Sequence, residues 1–359
     1  MRVKNGFGFL TASLGLAVLF CLSPRQSPAQ KTQPTTGDNQ TIRVNVEMVS
    51  LPVVVSTHDG RRITDLKKED FQIFEDGIQQ TIAGFAATDE PVDVALMLDT
   101  SGSTENELAN IQNAGIDFVN QLHPDDEVAI LSFSEDVRLQ ADFTIDRDKN
   151  EYGIKKTRSG GCTVEYEAVW LGLDEVLKPI KERKAMVLFT DGVDTCSHKA
   201  SMNETLELAK ETAATIYVVY YNTEGDLYQR RPTVGGVPMP GGGLPPIVSP
   251  GGYPGGYPGG YPGGYPGGIG STRGEYIQGR NYLNKLAEYS GGLVFDGMEN
   301  LSGAFQQVAK ELASQYSIGY YSTNAKHDGK FRKVEVKVSK TGLVARTKKG
   351  YFAKKDKSR

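Results

Sequence analysis

The stretch Val92 to Glu107, VDVALMLDTSGSTENE, decides the fold of this chain. Its first half contains the uninterrupted apolar run Val94 to Leu98, which is typical of a central strand in a parallel sheet covered on both faces. The polar turn DTSGS follows the run at once and leads into a helix start. The carboxylate of Asp99 and the hydroxyls of Ser101 and Ser103 therefore fall on one short loop between a strand and a helix.

The D-x-S-x-S pattern of this loop has two interpretations. One carboxylate and two hydroxyls supply the oxygen ligands that a hard divalent cation such as Mg²⁺ prefers. The loop could instead be an ordinary helix entry, in which Thr104 is the N-cap and Glu107 completes a capping box. The loop taken alone leaves both interpretations open.

Two later stretches of the sequence also place polar residues beside a predicted strand or helix. The sequence GGCT at residues 160–163 precedes a helical pattern, and the apolar run Met186 to Phe189 predicts a second buried strand that stops at TDG, residues 190–192. Together with D-x-S-x-S, these stretches resemble the metal-ion-dependent adhesion site of the von Willebrand factor type A (VWFA) domain. In that family the D-x-S-x-S loop, a threonine from a second loop and an aspartate from a third converge on one cation. The resemblance implies an Mg²⁺ site, with Mn²⁺ or Ca²⁺ as alternatives, whose ligands are Asp99, Ser101, Ser103, Thr163 and Asp191.

The two cysteines of this region lie beside predicted ligands. Cys162 adjoins Thr163, at a position where family members often carry glycine, and Cys196 follows Asp191 by five residues. Since the resemblance brings Thr163 and Asp191 to one ion, we expect the two cysteines to be close in space. An oxidising compartment would favour a disulfide between them. Two free or buried thiols are the alternative.

Residues 1–29 predict a secretory signal peptide. A basic start precedes the mostly apolar run 7–22, and small residues suit a cleavage site after position 29. An uncleaved membrane anchor is the main alternative, and lipid attachment at Cys21 is disfavoured because the bulky Phe20 precedes it. We therefore expect a secreted or periplasmic protein with no transmembrane segment after signal cleavage.

Charge argues against one class of partner. Removing the predicted signal peptide takes away three basic side chains and no acidic one, so the net charge moves from −4 to −7, with 37 basic against 44 acidic residues. This balance argues against binding to nucleic acid. Residues 354–359 form a basic tail, which is typical of a solvated chain end.

Two groups of short strands flank the central part of the chain. A polar linker, 30–41, precedes residues 42–90, where alternating apolar residues and the turn sequence EDG at 75–77 predict about four antiparallel strands. Residues 315–353 alternate in the same way. Neither group can bury its apolar faces alone, so we predict that the two pack together as halves of one small antiparallel β-sandwich. The strands predicted in the second group are Tyr316–Tyr321, Phe331–Val338 and Leu343–Phe352.

Residues 91–314 alternate strands with helices. This pattern predicts an α/β fold with a doubly wound, mainly parallel sheet, Rossmann-like as in VWFA domains and inserted between the two halves of the β-sandwich. The pattern breaks at residues 232–270, a Gly/Pro-rich insertion with four Tyr-Pro-Gly-Gly units. Such a composition cannot build a packed core, so the insertion is either a tolerated surface segment or a contact arm beside the metal loops.

The whole layout has a second resemblance. Together with DFQIFEDG at residues 70–77 and the closing GYF at 350–352, it resembles an exported VWFA-related family first grouped from Acidobacteria. That resemblance covers nearly all of the predicted mature chain except the insertion. It implies a fold and export, not a defined activity.

The ligand chemistry favours a binding module over an enzyme. Three of the five predicted ligands are neutral hydroxyls, so the cation would stay electrophilic and could accept a carboxylate from outside. We therefore expect a non-enzymatic, adhesion-type protein that binds an Asp or Glu of a protein partner. A structural envelope protein with a stabilising metal is one alternative. The other is an Mg²⁺-dependent hydrolase, for which His198 is the candidate base, although position 101 is Ser where an aspartyl-phosphate enzyme places its second carboxylate.

Overall fold

The computed structural model of the chain describes residues 48–181, 183–221, 233–234, 237–238, 272–297 and 300–354. The predicted signal peptide 1–29, the linker 30–41 and most of the insertion 232–270 lie outside the described residues. The strands are β1 (Met48–Thr57), β2 (Phe71–Glu75), β3 (Ile78–Gln80), β4 (Ile82–Ala86), β5 (Val92–Asp99), β6 (Glu127–Phe133), β7 (Val137–Thr144), β8 (Arg183–Thr190), β9 (Thr215–Tyr220), β10 (Thr233–Val234), β11 (Val237–Pro238), β12 (Val294–Asp296), β13 (Gln315–Tyr321), β14 (Phe331–Val338), β15 (Leu343–Arg346) and β16 (Gly350–Phe352). The helices are α1 (Leu108–Gln121), α2 (Arg147–Lys156), α3 (Glu165–Leu171), α4 (Met202–Glu211), α5 (Arg273–Ser290) and α6 (Leu301–Leu312).

The apolar run Val94 to Leu98 lies at the centre of a six-stranded sheet. The strand order is β12-β9-β8-β5-β6-β7, and every neighbouring pair is parallel except β6 with β7. Alternate side chains of the run enter two separate apolar cores, one on each face of the sheet. Helices α1 and α6 pack on one face, with Phe118 and Phe305 in contact, and α3, α4 and α5 cover the other. The predicted doubly wound α/β fold is confirmed.

One predicted helix differs in detail from the structure. The helix predicted from Thr163 begins at Glu165, and after Leu171 its turns widen to a π-helix over Gly172–Leu177. Gly172 lies against the sulfur-bearing side chains of Met97 and Met186, where a Cβ atom would approach Met186 Cε to 2.5 Å. A larger residue at this position would therefore displace the flexible ends of these two methionine side chains.

The flanking strands form the predicted β-sandwich. One sheet has the order β15-β1-β13-β4 and the other β16-β14-β2-β3, so each contains strands from both ends of the chain. Their facing sides share one apolar core, which includes Leu51 and Ile73 from the first half and Tyr316 and Val334 from the second. The strand predicted over Leu343–Phe352 is divided, and its two parts, β15 and β16, join different sheets.

Polar side chains fix the sandwich internally. The Tyr316 hydroxyl accepts a hydrogen bond from the Leu66 backbone N–H at 3.0 Å and donates to the Ile63 carbonyl at 3.1 Å. The buried carboxylate of Glu75 accepts from the hydroxyls of Tyr320, Ser322 and Tyr351, at 2.7, 2.6 and 2.9 Å. Every one of these bonds joins residues from opposite ends of the chain, so neither half is complete without the other.

A buried carboxylate connects the sandwich to the α/β part. Glu311, near the end of α6, receives Arg62 on one oxygen and Arg346 on the other, and its side chain is only 5% exposed. Arg183, at the start of β8, donates to the carbonyls of Glu90 and Leu312.

Among the described residues, no helix is long and apolar enough to cross a membrane.

We expect Glu311→Gln to lower the free energy of unfolding by about 2–3 kcal/mol, because a neutral amide leaves two arginines without their shared counter-charge. Chemical denaturation followed by circular dichroism measures this. Glu288→Gln is the matched control, since it makes the same chemical change at an exposed pair with Lys349 and should cost at most about 1 kcal/mol. Equal losses in the two variants would contradict the role assigned to Glu311.

Candidate functional site

The predicted ligands lie at the carboxyl ends of two central strands. Asp99 is the last residue of β5, and Asp191 directly follows β8. Because β5 and β8 are adjacent and parallel, both carboxylates emerge at the same edge of the sheet. Both residues are buried, at 0% and 3% exposed. The structure therefore brings the two charged members of the predicted set together.

The first loop is tightly wound. The Asp99 carboxylate accepts the Ser101 backbone N–H at 2.9 Å, and the Ser101 and Ser103 hydroxyls lie 3.1 Å apart. A 3₁₀ turn over Gly102–Thr104 follows, and α1 begins only at Leu108. Thr104 does not cap α1, since its hydroxyl donates to the Ser101 carbonyl at 2.8 Å. The predicted capping box of Thr104 and Glu107 is therefore wrong, since Glu107 itself is the N-cap of α1.

The second loop, residues 159–163, is bonded to the first. The Gly102 N–H donates to the Gly161 carbonyl and the Gly160 N–H to the Thr100 carbonyl, both at 2.9 Å. A Cβ atom on Gly102 would lie 3.1 Å from the Gly161 oxygen, so the two backbones are close. The Ser159 hydroxyl adds a bond to the Ser101 carbonyl at 2.8 Å. These contacts fix the position of Thr163 relative to the D-x-S-x-S loop.

The third loop, residues 191–197, is bonded to the second. The Thr163 N–H donates to the Thr195 hydroxyl at 2.8 Å, and the Thr163 carbonyl accepts the N–H groups of Thr195 and Cys196. The sulfur atoms of Cys162 and Cys196 are joined, with Cα atoms 6.1 Å apart. The two predicted cysteine neighbours thus lie together as expected. The covalent link between them holds the loop of Thr163 against the loop of Asp191.

Two site residues were missed in the sequence analysis. The Thr190 hydroxyl contacts Oδ2 of Asp99 at 3.0 Å and Oε2 of Glu165 at 2.8 Å. The other Glu165 oxygen, Oε1, is buried and has no hydrogen-bond partner among the described residues. Thr190 stands beside a predicted ligand, which is a usable signal, whereas Glu165 is an ordinary residue in the first turn of a helix and has none.

The site concentrates negative charge in a dry environment. Burial, together with the neighbouring Asp191, raises the pKa of Asp99 to about 7. Burial and the carboxylates of Asp99, Asp191 and Asp194 raise the pKa of Glu165 well above its usual value. Within the described part of the chain, no basic side chain is among the groups that shift either pKa. Burial and neighbouring negative charge therefore dominate the environment of Asp99 and Glu165.

Tyr221 completes the rim of the site. Its ring stacks on Phe189 with centroids 4.4 Å apart, and its buried hydroxyl makes no hydrogen bond to any residue that the structure describes. Burial, and then the nearby charges of Asp99 and Asp191, raise its pKa well above the usual value, while Ser103 acts in the opposite direction. A buried phenol aimed at this cluster is suited to donate to a group bound there.

The donor set fits a hard cation. Carboxylate and hydroxyl oxygens are the ligands of Mg²⁺, Mn²⁺ and Ca²⁺, and the unpaired Glu165 oxygen and the raised pKa of Asp99 both indicate a missing positive charge. No group of three or more His, Cys, Asp or Glu is arranged as a metal site in the described residues. The hydroxyls of Ser101, Ser103 and Thr163 would therefore be needed to complete the ligand shell.

The disulfide gives a measurable prediction. It closes a loop of 34 residues, for which chain entropy predicts a stabilisation of about 3–4 kcal/mol. We expect the double variant Cys162→Ala/Cys196→Ala to lose about this much unfolding free energy and to bind divalent metal more weakly, because Thr163 is no longer held against the third loop. Wild-type protein treated with a reductant is the matched control. Free thiols in the purified exported protein, found by peptide mapping without reduction, would contradict the pairing.

One comparison with known proteins identifies a family. The sequence profile of the von Willebrand factor type A domain matches residues 94–193. No curated protein matches the chain. Among solved structures, a von Willebrand factor type A protein from Catenulispora acidiphila is 11% identical, with a TM-score of 0.44, covering 79% of this chain and 72% of its own. The conserved hypothetical protein BatB from Bacteroides thetaiotaomicron is 16% identical, with a TM-score of 0.42, covering 62% of this chain and 97% of its own.

A mussel protein with a metal-occupied motif is also among the similar solved structures. Proximal thread matrix protein 1 from the mussel byssus, with a zinc-occupied MIDAS motif, is 16% identical with a TM-score of 0.40. The match covers 65% of this chain and 48% of the mussel chain. All three TM-scores lie below 0.5, so the family assignment depends on the sequence match. That match spans β5, β8 and every predicted metal ligand, and the chain therefore contains a von Willebrand factor type A domain.

Proposed function

We propose that the chain is an exported protein-binding module that holds a partner carboxylate through a divalent cation. The cation would be Mg²⁺, Mn²⁺ or Ca²⁺, and the partner would be a protein that offers an Asp or Glu side chain. The proposed boundaries are 42–90 and 315–353 for the β-sandwich halves and 91–314 for the VWFA domain. The proposed ligands are Asp99, Ser101, Ser103, Thr163 and Asp191.

One observation carries the proposal. Asp99 and Asp191 are buried at the ends of adjacent strands, where each carboxylate accepts a backbone N–H and where further hydroxyls and carboxylates lie close by. Burying two carboxylates next to each other costs several kcal/mol, which a bound cation would offset. If the site served only stability, apolar residues in place of the buried carboxylates would cost less free energy of folding. The arrangement is therefore better explained by a cation that serves binding.

The chemistry favours capture over catalysis. Three neutral hydroxyls contribute no charge to the ligand shell, so the bound cation would retain a strong attraction for an external carboxylate. The protein's own groups would orient that carboxylate, with the Tyr221 hydroxyl placed to donate to it or to a bound water. The candidate base His198 is exposed, and its backbone N–H is taken up by Glu167. This setting supports a non-enzymatic role.

Metal binding should be single-site and should weaken in acid. Titration calorimetry of the purified protein with Mg²⁺ at pH 8 should show one site per chain. Asp99 must lose its proton to bind the ion, and its pKa is about 7, so affinity should fall about tenfold between pH 8 and pH 6. Asp99→Asn should abolish binding. Asp142→Asn, the same change at an exposed position away from the site, should bind as the wild type does.

Partner capture should depend on the same ion. Immobilised wild-type protein in Mg²⁺ should retain proteins from a native extract that are released by EDTA, and the Asp99→Asn column should not retain them. The Asp142→Asn column is the matched control. Retention that is unchanged by EDTA and by Asp99→Asn would contradict a metal-bridged contact, even if calorimetry shows that metal binds.

A further inference from the structure

A cavity that is separate from the candidate metal site lies directly beside the metal loops. It has a volume of about 430 Å³, which is within the usual range of ligand sites. Buried hydroxyl side chains form its floor, and charged side chains stand around its mouth. The lining residues are Thr100, Ser132, Ser134, Asp136, Arg138, Leu139, Gln140, Lys156 and Arg158.

The cavity shares its walls with the candidate metal site. Thr100 stands between Asp99 and Ser101 in the chain, and its N–H and hydroxyl both donate to the Phe133 carbonyl, at 2.8 and 3.1 Å. The Ser134 carbonyl accepts the N–H of Val164, which follows the ligand Thr163. Thr100 is therefore adjacent in the chain to two proposed ligands, Asp99 and Ser101. Ser134 is hydrogen-bonded to the residue that follows a third, Thr163.

The mouth of the cavity is positively charged. Arg138, Lys156 and Arg158 face one acid, Asp136, which pairs with Arg138 at 2.9 Å. Lys156 is exposed and forms no ion pair within the described residues. The cavity therefore carries a local charge of about +2 in a chain whose net charge is −4.

Arg158 is held in place by the end of α2. Its NH1 group donates to the backbone carbonyls of Lys155, Lys156 and Thr157, at 3.0, 3.1 and 2.8 Å. These bonds leave the remaining guanidinium N–H groups for an anion. The neighbouring Ser159 hydroxyl donates to the Ser101 carbonyl, so the same backbone segment fixes both Arg158 and the metal loop.

We infer that this cavity binds a second carboxylate of the partner segment whose first carboxylate is held by the cation. The inference rests on the proposed function and specifies the partner as an acidic peptide, not a single acidic side chain. In an extended peptide, side chains at positions i and i+2 point the same way and are about 7 Å apart. This spacing suits a cavity that begins one residue away from the metal ligands, so the recognised pattern is acidic-x-acidic.

Three capped peptides test the inference: Gly-Asp-Gly-Asp-Gly and its two single Asp→Asn forms. In saturating Mg²⁺, calorimetry should show the double-Asp peptide binding about tenfold more tightly than the tighter of the single-Asp peptides, since charge-assisted hydrogen bonds are the strong ones. Lys156→Glu should remove most of this difference in affinity between the peptides. Its Mg²⁺ affinity and its unfolding temperature should equal those of the control variant Lys199→Glu. Raising NaCl from 0.1 to 1 M should shrink the advantage too, because the basic residues at the mouth are exposed.

Lys199→Glu is the matched control. It makes the same charge reversal two residues after the third loop, where Lys199 is 88% exposed and outside the cavity, so the double-Asp advantage should persist. Equal binding of all three peptides, each released by EDTA, would overturn the second carboxylate site and leave the metal-bridged contact standing. An equal loss in Lys156→Glu and Lys199→Glu would overturn it as well, in favour of general electrostatics. If Mg²⁺ binds and no peptide does, both carboxylate contacts fail.

Discussion

The close approach of Asp99 and Asp191 is the constraint on which the rest of the site depends. Parallel pairing of β5 and β8 forces both carboxylates to the same edge of the sheet, and helix and loop packing removes water from them. Burial then raises the pKa of Asp99 to about 7, and Glu165, linked through Thr190, adds a third acid with an unpaired oxygen. The burial of apolar side chains in the two cores offsets the repulsion between these carboxylates, and a bound cation would relieve it.

The loops around these acids are held before any ion arrives. Backbone hydrogen bonds join the first loop to the second, and hydrogen bonds and a disulfide join the second to the third. On the outer side of the third loop, helix α5 presses so closely that a Cβ atom on Gly279 would lie 2.5 Å from the Gly192 carbonyl oxygen. A preformed loop cluster would lose little conformational entropy on binding the proposed cation, so rigidity here would favour affinity.

Sequence patterns could predict most of the fold because the central strands are apolar runs and strands such as β14 alternate cleanly. They could also place Asp99 and Asp191 at the ends of buried strands, whereas the full ligand set follows from the family resemblance and stays a prediction. Glu165 could not be found this way, because its role comes from the packing of α3 over Thr190. The division of Leu343–Phe352 was also beyond the sequence, since alternation does not show that β15 and β16 pair with different sheets.

Strand polarity also explains where a partner can approach. The β-sandwich contacts the starts of the central strands, where Arg183 opens β8 and donates to the carbonyls of Glu90 and Leu312. The metal loops lie at the opposite ends, and a strand of eight residues is about 26 Å long. The sandwich therefore stabilises the domain without covering its binding edge. The cation site and the basic cavity share that edge, and one extended acidic segment can lie across both.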